Sequence, residues 1–189
     1  MRVGLIGDTH LPSVIRQLDE LGPEIGEFLA TADLILHAGD VTAPGVVDWC
    51  EQFAPTLVAR GNNDLFEDPR MAPTHRLTLM GWSIGLVHEI RPRARATVEI
   101  LDQHFCGRPV DVLVSGDTHF ELLERREDVL LVNPGSATLP HHKEFRLGTV
   151  GLLDIESSSL SAEIRLLGQT TGAPNPGRPQ RVFLTRDAR

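Results

Sequence analysis

Val3-Gly4-Leu5-Ile6-Gly7-Asp8-Thr9-His10 is a short apolar run that stops at an acid and, two residues later, a histidine. An apolar run of this length suits a buried strand of a parallel sheet. Asp8 and His10 then sit on the loop leaving its carboxyl end, where open α/β sheets place their ligands. Residues two apart on extended backbone point the same way, so both side chains can reach one point. A carboxylate and an imidazole meeting there are half of a transition-metal site.

The design recurs. Leu34-Ile35-Leu36-His37-Ala38-Gly39-Asp40 is an apolar run ending in Gly-Asp, and Leu57-Val58-Ala59-Arg60-Gly61-Asn62-Asn63-Asp64 ends in Gly-Asn. Ile84-Gly85-Leu86-Val87-His88 ends in histidine, and Val112-Leu113-Val114-Ser115-Gly116-Asp117-Thr118-His119 repeats the tetrapeptide Gly-Asp-Thr-His. A core needs no polar residue at every strand exit. An isolated strand-end acid is ordinarily a turn or a helix cap, but the ordered set points to one shared site.

The order Gly-Asp-x-His, Gly-Asp, Gly-Asn-x-Asp, strand-ending His, Gly-x-Thr-His resembles the calcineurin-like metallophosphoesterases. The short chain and Asn133-Pro134-Gly135-Ser136 are similar to the small bacterial and archaeal phosphodiesterases that share a subfamily with the retromer subunit Vps29. The likeness runs from Met1 to about Asp154. It implies a four-layer α/β/β/α sandwich, two mixed sheets flanked by helices. It also implies a phosphoesterase, foremost a phosphodiesterase, with a dinuclear metal centre and a metal-bridging hydroxide as nucleophile. In that pattern Asp8, His10 and His119 bind the first metal, Asn62 and His88 the second, and Asp40 bridges, with Asp117 completing the set of ligands on the second metal. All seven would then be catalytic as well as metal-binding. The cations would lie ~3.5–4 Å apart. The mixed His, Asn and Asp donors suit Mn foremost, or Fe, Ni or Zn, better than Mg.

Two positions depart from the pattern. Asp117 stands where the family usually has His, which adds negative charge. Asn63 stands where larger relatives carry a His that protonates the leaving group, and it has no titratable proton. Good leaving groups are therefore expected, and Asp64 is read either as orienting the site or as a turn acid. The alternative function is a Vps29-like scaffold that binds protein partners with little or no catalysis. A dinucleotide turn at Gly4 and Gly7 is a poor reading, since no Gly-x-Gly-x-x-Gly follows the first strand.

Composition narrows the classes. A chain of 189 residues is read as one domain over 1–168 plus a Pro/Gly/Arg-rich tail over 169–189. A net charge of −8 argues against general nucleic-acid binding, which wants a basic face, but not against phosphate substrates beside bound cations. Two cysteines, Cys50 and Cys106, fall in expected helices without a Cys-x-x-Cys, so no disulfide framework is expected. Met1 leads straight into a strand, so no signal peptide is expected, and no apolar run approaches the ~18–20 residues that span a bilayer. The expectation is a cytoplasmic protein acting on a small phosphoester, with no membrane partner; a homo-oligomer is left open.

Along the chain, Val14, Ile15, Leu18, Leu21, Ile25, Phe28 and Leu29 recur at helical spacing, interrupted at Gly22-Pro23, so a kink or two short helices are expected. Strands are expected at 33–38, 56–60 and 111–115, and helices at 43–53 and 94–105, the latter with Ala96, Ile100 and Leu101 inward. Hairpins are expected at 76–87, 121–132 and 145–167. His37 is expected to be structural, and His75 and His104 to lie at the surface. His141 and His142 either face substrate or are solvated. Arg91, Arg93 and Arg95 either recognise phosphate or open a solvated helix. In the tail, Val182-Phe183-Leu184 either stays disordered or docks on the body or on a neighbour.

Overall fold

The computed structural model describes residues 1–13, 15–92 and 94–186; Val14, Arg93 and residues 187–189, Asp187 and Arg189 among them, lie outside the described residues. The opening run forms strand β1 (Arg2–Ile6), buried from Val3 onward. It lies parallel to β2 (Leu34–His37), which lies parallel to β3 (Thr56–Ala59) and then the two-residue β4 (Met71–Ala72). On the other flank of β1, β10 (Thr149–Ile155), β11 (Ser159–Leu166) and β12 (Gln180–Thr185) pair antiparallel in sequence. The second sheet has the order β5-β6-β7-β9-β8. Its parallel centre is β6 (Trp82–Val87), β7 (Val112–Val114) and β9 (Val129–Pro134), edged by antiparallel β5 (Thr74–Leu79) and β8 (Glu121–Arg126).

The alternation of side chains along β1 assigns the layers. Val3 and Leu5 face the second sheet, packing in a cluster with Leu36, Ile84, Leu86 and Val114. Ile6 faces the other way, with Ile25 and Leu29 of α1 (Glu24–Leu29) and Val46, Val47 and Cys50 of α2 (Pro44–Glu51). A third cluster joins the far face of the second sheet, through Leu113 and Leu131, to Ile100 and Phe105 of α3 (Thr97–Phe105). Three apolar interfaces between four layers make the α/β/β/α sandwich. The described part of the 14–29 stretch holds a 3₁₀ turn at Leu18–Leu21 and then α1, two short helices with Gly22 at positive φ between them.

Several details differ from the sequence reading. Residues 145–148 do not extend β10. Ala96 is the exposed N-cap residue of α3, and Thr97, Ile100 and Phe105 make its buried side. His75 is half-buried, its Nε2 against the Val58 carbonyl at 2.8 Å, and His104 is half-buried too, so neither is a plain surface residue. The segment read chiefly as a disordered tail supplies β12, whose Val182 and Leu184 pack on the inter-sheet cluster. Alternating polar and apolar residues and a partner edge on β11 suffice for that pairing, and a Pro/Gly-rich connection upstream does not prevent it.

What positions the site is register. Ile6 pairs with His37, and His37 with Val58, so β1, β2 and β3 end level. Leu86, Val114 and Val132 align likewise in the second sheet. The exit loops of both parallel centres therefore open at one end of the sandwich.

Candidate metal centre

Asp40 occupies the middle of that end. Its Oδ2 is 3.4 Å from His10 Nε2 and its Oδ1 is 3.6 Å from His88 Nε2. Asn63 closes the near side, its backbone N–H donating to Oδ1 at 2.9 Å and its side-chain amide to Oδ2 at 2.7 Å. The loop that carries Asp40 is fixed by buried Asp64, which accepts the backbone N–H groups of Asp40, Thr42 and Gly61. That is the orienting role rather than a bare turn acid. Gly39 is required as glycine: it sits at φ 96°, and a Cβ there would lie 2.6 Å from His88 Nδ1.

On one side stand Asp8, His10 and His119. Asp8 is fully buried; its Oδ1 accepts the Asp117 backbone N–H, and its Oδ2 has no hydrogen-bond partner. Burial and the nearby Asp40 push its carboxyl well above the ordinary carboxylate range. His119 donates from Nδ1 to the Leu139 carbonyl at 2.8 Å, which leaves its Nε2 lone pair free, 3.0 Å from His10 Nε2. Burial lowers the pKa of His10, and burial with help from His142 and His10 pulls His119 down to about 4. Both rings are thus neutral near pH 7, the form a metal ligand requires.

On the other side stand Asn62, His88 and Asp117. His88 donates from Nδ1 to the Ala38 carbonyl at 2.7 Å and turns Nε2 toward Asn62 Oδ1, 3.0 Å away, and Asp117 Oδ1, 3.9 Å away. Asp117 Oδ2 also meets the Arg91 guanidinium at 2.5 Å, an ion-pair contact without hydrogen-bond geometry.

All seven sequence-predicted residues therefore converge. The ligand atoms of Asp8, His10 and His119 lie within 4.8 Å of one another, and so do those of Asp8, Asp40 and His88. Asp8 belongs to both groups, a sharing that the sequence reading gave to Asp40 alone. Asp8, His10, Asp40, Asp117 and His119 all hold left-handed φ between 50° and 69°. Non-glycine residues take that region sparingly, and its concentration here marks a constrained site. A buried carboxylate oxygen without a donor, facing imidazole lone pairs and a second carboxylate, fits a divalent cation.

Other expectations resolve individually. His37 is structural: its Nδ1 accepts the Gly39 N–H and its Nε2 meets Thr9 Oγ1. His142 lines the ≈ 300 Å³ cleft over the site with Arg91 and packs 4.0 Å from the His119 ring. His141 instead pairs with Glu121 at 2.7 Å. Arg95 pairs with Glu99 and is not a cleft residue, and Arg93 lies outside the described residues. The sequence reading missed the hydroxyls of Ser136 and Thr138, which bond the backbone carbonyls of Asp8 and Thr9. The one signal was Asn133-Pro134-Gly135-Ser136, which carried the family likeness but gave no sign of a clamp on the Asp8 loop.

The family model for the calcineurin-like phosphoesterase superfamily domain matches residues 1–158. The chain belongs to this superfamily. Among curated phosphoesterases, it is 32% identical to a probable metallophosphoesterase of Methanothermobacter thermautotrophicus, over 92% of this chain and 95% of that protein. It is 26% identical to a phosphodiesterase of Methanocaldococcus jannaschii, over 82% of this chain and 94% of that one. Among solved structures, Vps29 of Chaetomium thermophilum has the same fold, with a TM-score of 0.78, 22% identity and coverage of 99% and 100% of the two chains. The metallophosphoesterase fold is thus shared by phosphoesterases and by Vps29. In this superfamily member no described helix is long and apolar enough to cross a membrane.

Proposed function

We propose that this chain is a metal-dependent phosphodiesterase working through two divalent cations, manganese foremost, held by Asp8, His10, Asp40, Asn62, His88, Asp117 and His119. The observation that carries the reading is the orphaned, buried Asp8 Oδ2 between two donor groups that share it. Bound there, two cations would supply Lewis-acid stabilisation of the phosphoryl oxygens and a water activated for attack. The chain's own residues do the rest. Asp40, placed between His10 and His88, keeps the two donor groups in register. The carbonyls of Ala38 and Leu139 fix the tautomers of His88 and His119. Arg91 brings a guanidinium to the cleft, able to take a phosphate oxygen. Asn63 offers only hydrogen bonds where a proton donor would help a poor leaving group, which favours activated diesters.

The test is a panel of phosphodiesters and monoesters assayed with Mn²⁺, Fe²⁺, Ni²⁺, Zn²⁺ and Mg²⁺. The expected result is diester hydrolysis, greatest with Mn²⁺ and abolished by chelation. A second reading, a Vps29-like scaffold, draws on the Vps29 fold and on the Arg91–Asp117 ion pair, which occupies one carboxylate oxygen of the site. It would take over if the metal-loaded protein turned over nothing in the panel.

A further inference from the structure

Beside the cleft lies a second cavity of ≈ 230 Å³, and Asp117 lines both. Ile90, Gly116, Thr118, Phe120 and Leu122 contribute to its wall. Two of its polar neighbours, Asn133 and Glu121, are already engaged. The Asn133 amide donates to the Gly116 carbonyl and Thr118 Oγ1, and its Oδ1 accepts the Gly135 N–H. The Glu121 carboxylate takes His141 Nε2 on one oxygen and the Arg178 N–H on the other. What remains to face a ligand is mainly carbon.

Phe120 is the feature that asks for an explanation. It is 49% exposed, although a large aromatic side chain gains most by burial. Its ring is also held in a set plane: it stacks on His141, centroids 4.2 Å apart and planes 14° apart, and His141 is fixed in turn by Glu121. His142, which lines the cleft, stands 6.2 Å from the same ring. An oriented, half-exposed aromatic therefore lies on the boundary between an apolar cavity and the candidate metal centre.

We propose that this cavity binds a flat aromatic or heteroaromatic ester substituent of the phosphodiester, with Phe120 as the stacking surface. The proposal rests on the phosphoesterase reading, since it takes the phosphoryl group to sit in the neighbouring cleft. The volume exceeds the roughly 150 Å³ apolar cavity that accepts benzene, so a ring, including a fused one, has room. With Asn133 and Glu121 engaged, selection is for flatness rather than for one hydrogen-bonding edge. A monoester carries a single substituent, so one whose substituent is small leaves the cavity empty. A diester fills it while presenting its phosphoryl group to the site.

The experiment uses two non-hydrolysable probes, phenylphosphonate and methylphosphonate, titrated calorimetrically into the full-length, manganese-loaded protein. Phenylphosphonate should bind about tenfold more tightly, the size of one base–aromatic stack. It should move the methyl resonances of Ile90 and Leu122 in the zinc-loaded protein, a diamagnetic stand-in, while methylphosphonate leaves them in place. Phe120→Ala, at a half-exposed position outside the three core clusters, should bring the affinity ratio close to one, and Phe120→Trp should keep it. Equal affinity for the two probes, or a ratio unmoved by Phe120→Ala, overturns the inference. If equal affinity comes with turnover of the ester panel, the phosphoesterase reading survives its loss. If neither probe binds and no ester is hydrolysed, both are lost.

Discussion

The two halves of the candidate metal centre are built differently. Asp8 and His119 are buried, His10 is half-buried, and each is pinned by backbone contacts from several loops. Asn62 is exposed, and Asp117 shares its carboxylate with the Arg91 guanidinium, whose side chain is 58% exposed. The Asp8 half is preorganised, with its desolvation cost already incurred in the fold. The other half keeps a buried His88 pinned to the Ala38 carbonyl, and is adjustable only through exposed Asn62 and the Arg91-paired Asp117. A first cation should therefore bind tightly and a second more weakly, and Asp40, touching both halves, should decide whether either is kept.

Breaking the centre removes the comparison altogether. Asp40→Ala takes away the carboxylate between His10 and His88 and frees Asn63 from its partner. Metal content measured by elemental analysis should fall toward zero, and diester hydrolysis should drop by ~10²–10³-fold, the order expected when an electrostatic element of a site is removed. One metal retained at full occupancy would remove Asp40 from the bridging position.

The next largest effect lies under the Asp8 half. Burial holds the His37 pKa at about 4, against an unfolded value near 6.5. Between those values the native state holds fewer protons than the unfolded one, so stability is present above 6.5 and is lost as pH falls toward 4. His119 adds to the loss with the same sign; Asp8, whose carboxyl is raised, opposes it. For the metal-free protein, chemical denaturation from pH 7 to pH 4.5 should show a loss on the order of a few kcal/mol. His37→Gln, which retains a hydrogen-bonding amide, should flatten the curve; an unchanged slope would assign the acid sensitivity elsewhere.

The same contrast explains what could be read from the sequence. Five apolar runs ending in Asp, Asn or His exposed the parallel centres and the whole donor set, because a strand exit fixes a residue's place; the direction at Asp8 and His10 comes instead from left-handed backbone, not from the extended alternation expected there. Gly-Asp-Thr-His at two exits marked Asp8, His10, Asp117 and His119. What stayed hidden depends on contacts between distant loops: the Ser136 and Thr138 hydroxyls reach carbonyls 128 and 129 residues away. The pairing of β12 with β11 was equally out of reach, since six residues of moderate apolarity acquire meaning only beside a free edge. Ala96 followed the helical spacing but fell at the cap, where the side chain turns outward.

The smallest expected effects separate Asp117 from Arg91. If Asp117 is a ligand of the second cation, Asp117→Ala should leave one tightly held metal and weaken the second by at least ~10-fold, the loss that follows removal of a ligating or orienting group. Titration of the chelated protein with Mn²⁺ would read this as the disappearance of the weaker of two binding phases. Arg91→Gln should do the opposite. It removes a positive charge 2.5 Å from the Asp117 carboxylate and returns the full negative charge to the second site, so the weaker phase should tighten. Because the guanidinium is largely in water, the gain is limited to the ~0.2–1 kcal/mol of an exposed pair, or about 1.4–5-fold. It should shrink further as salt is added. If instead Asp117 serves only as the counter-ion of Arg91, both substitutions should leave the two phases where they are. Opposite signs from the two partners of one ion pair are what a shared carboxylate requires, and a purely structural pair has no means of producing them.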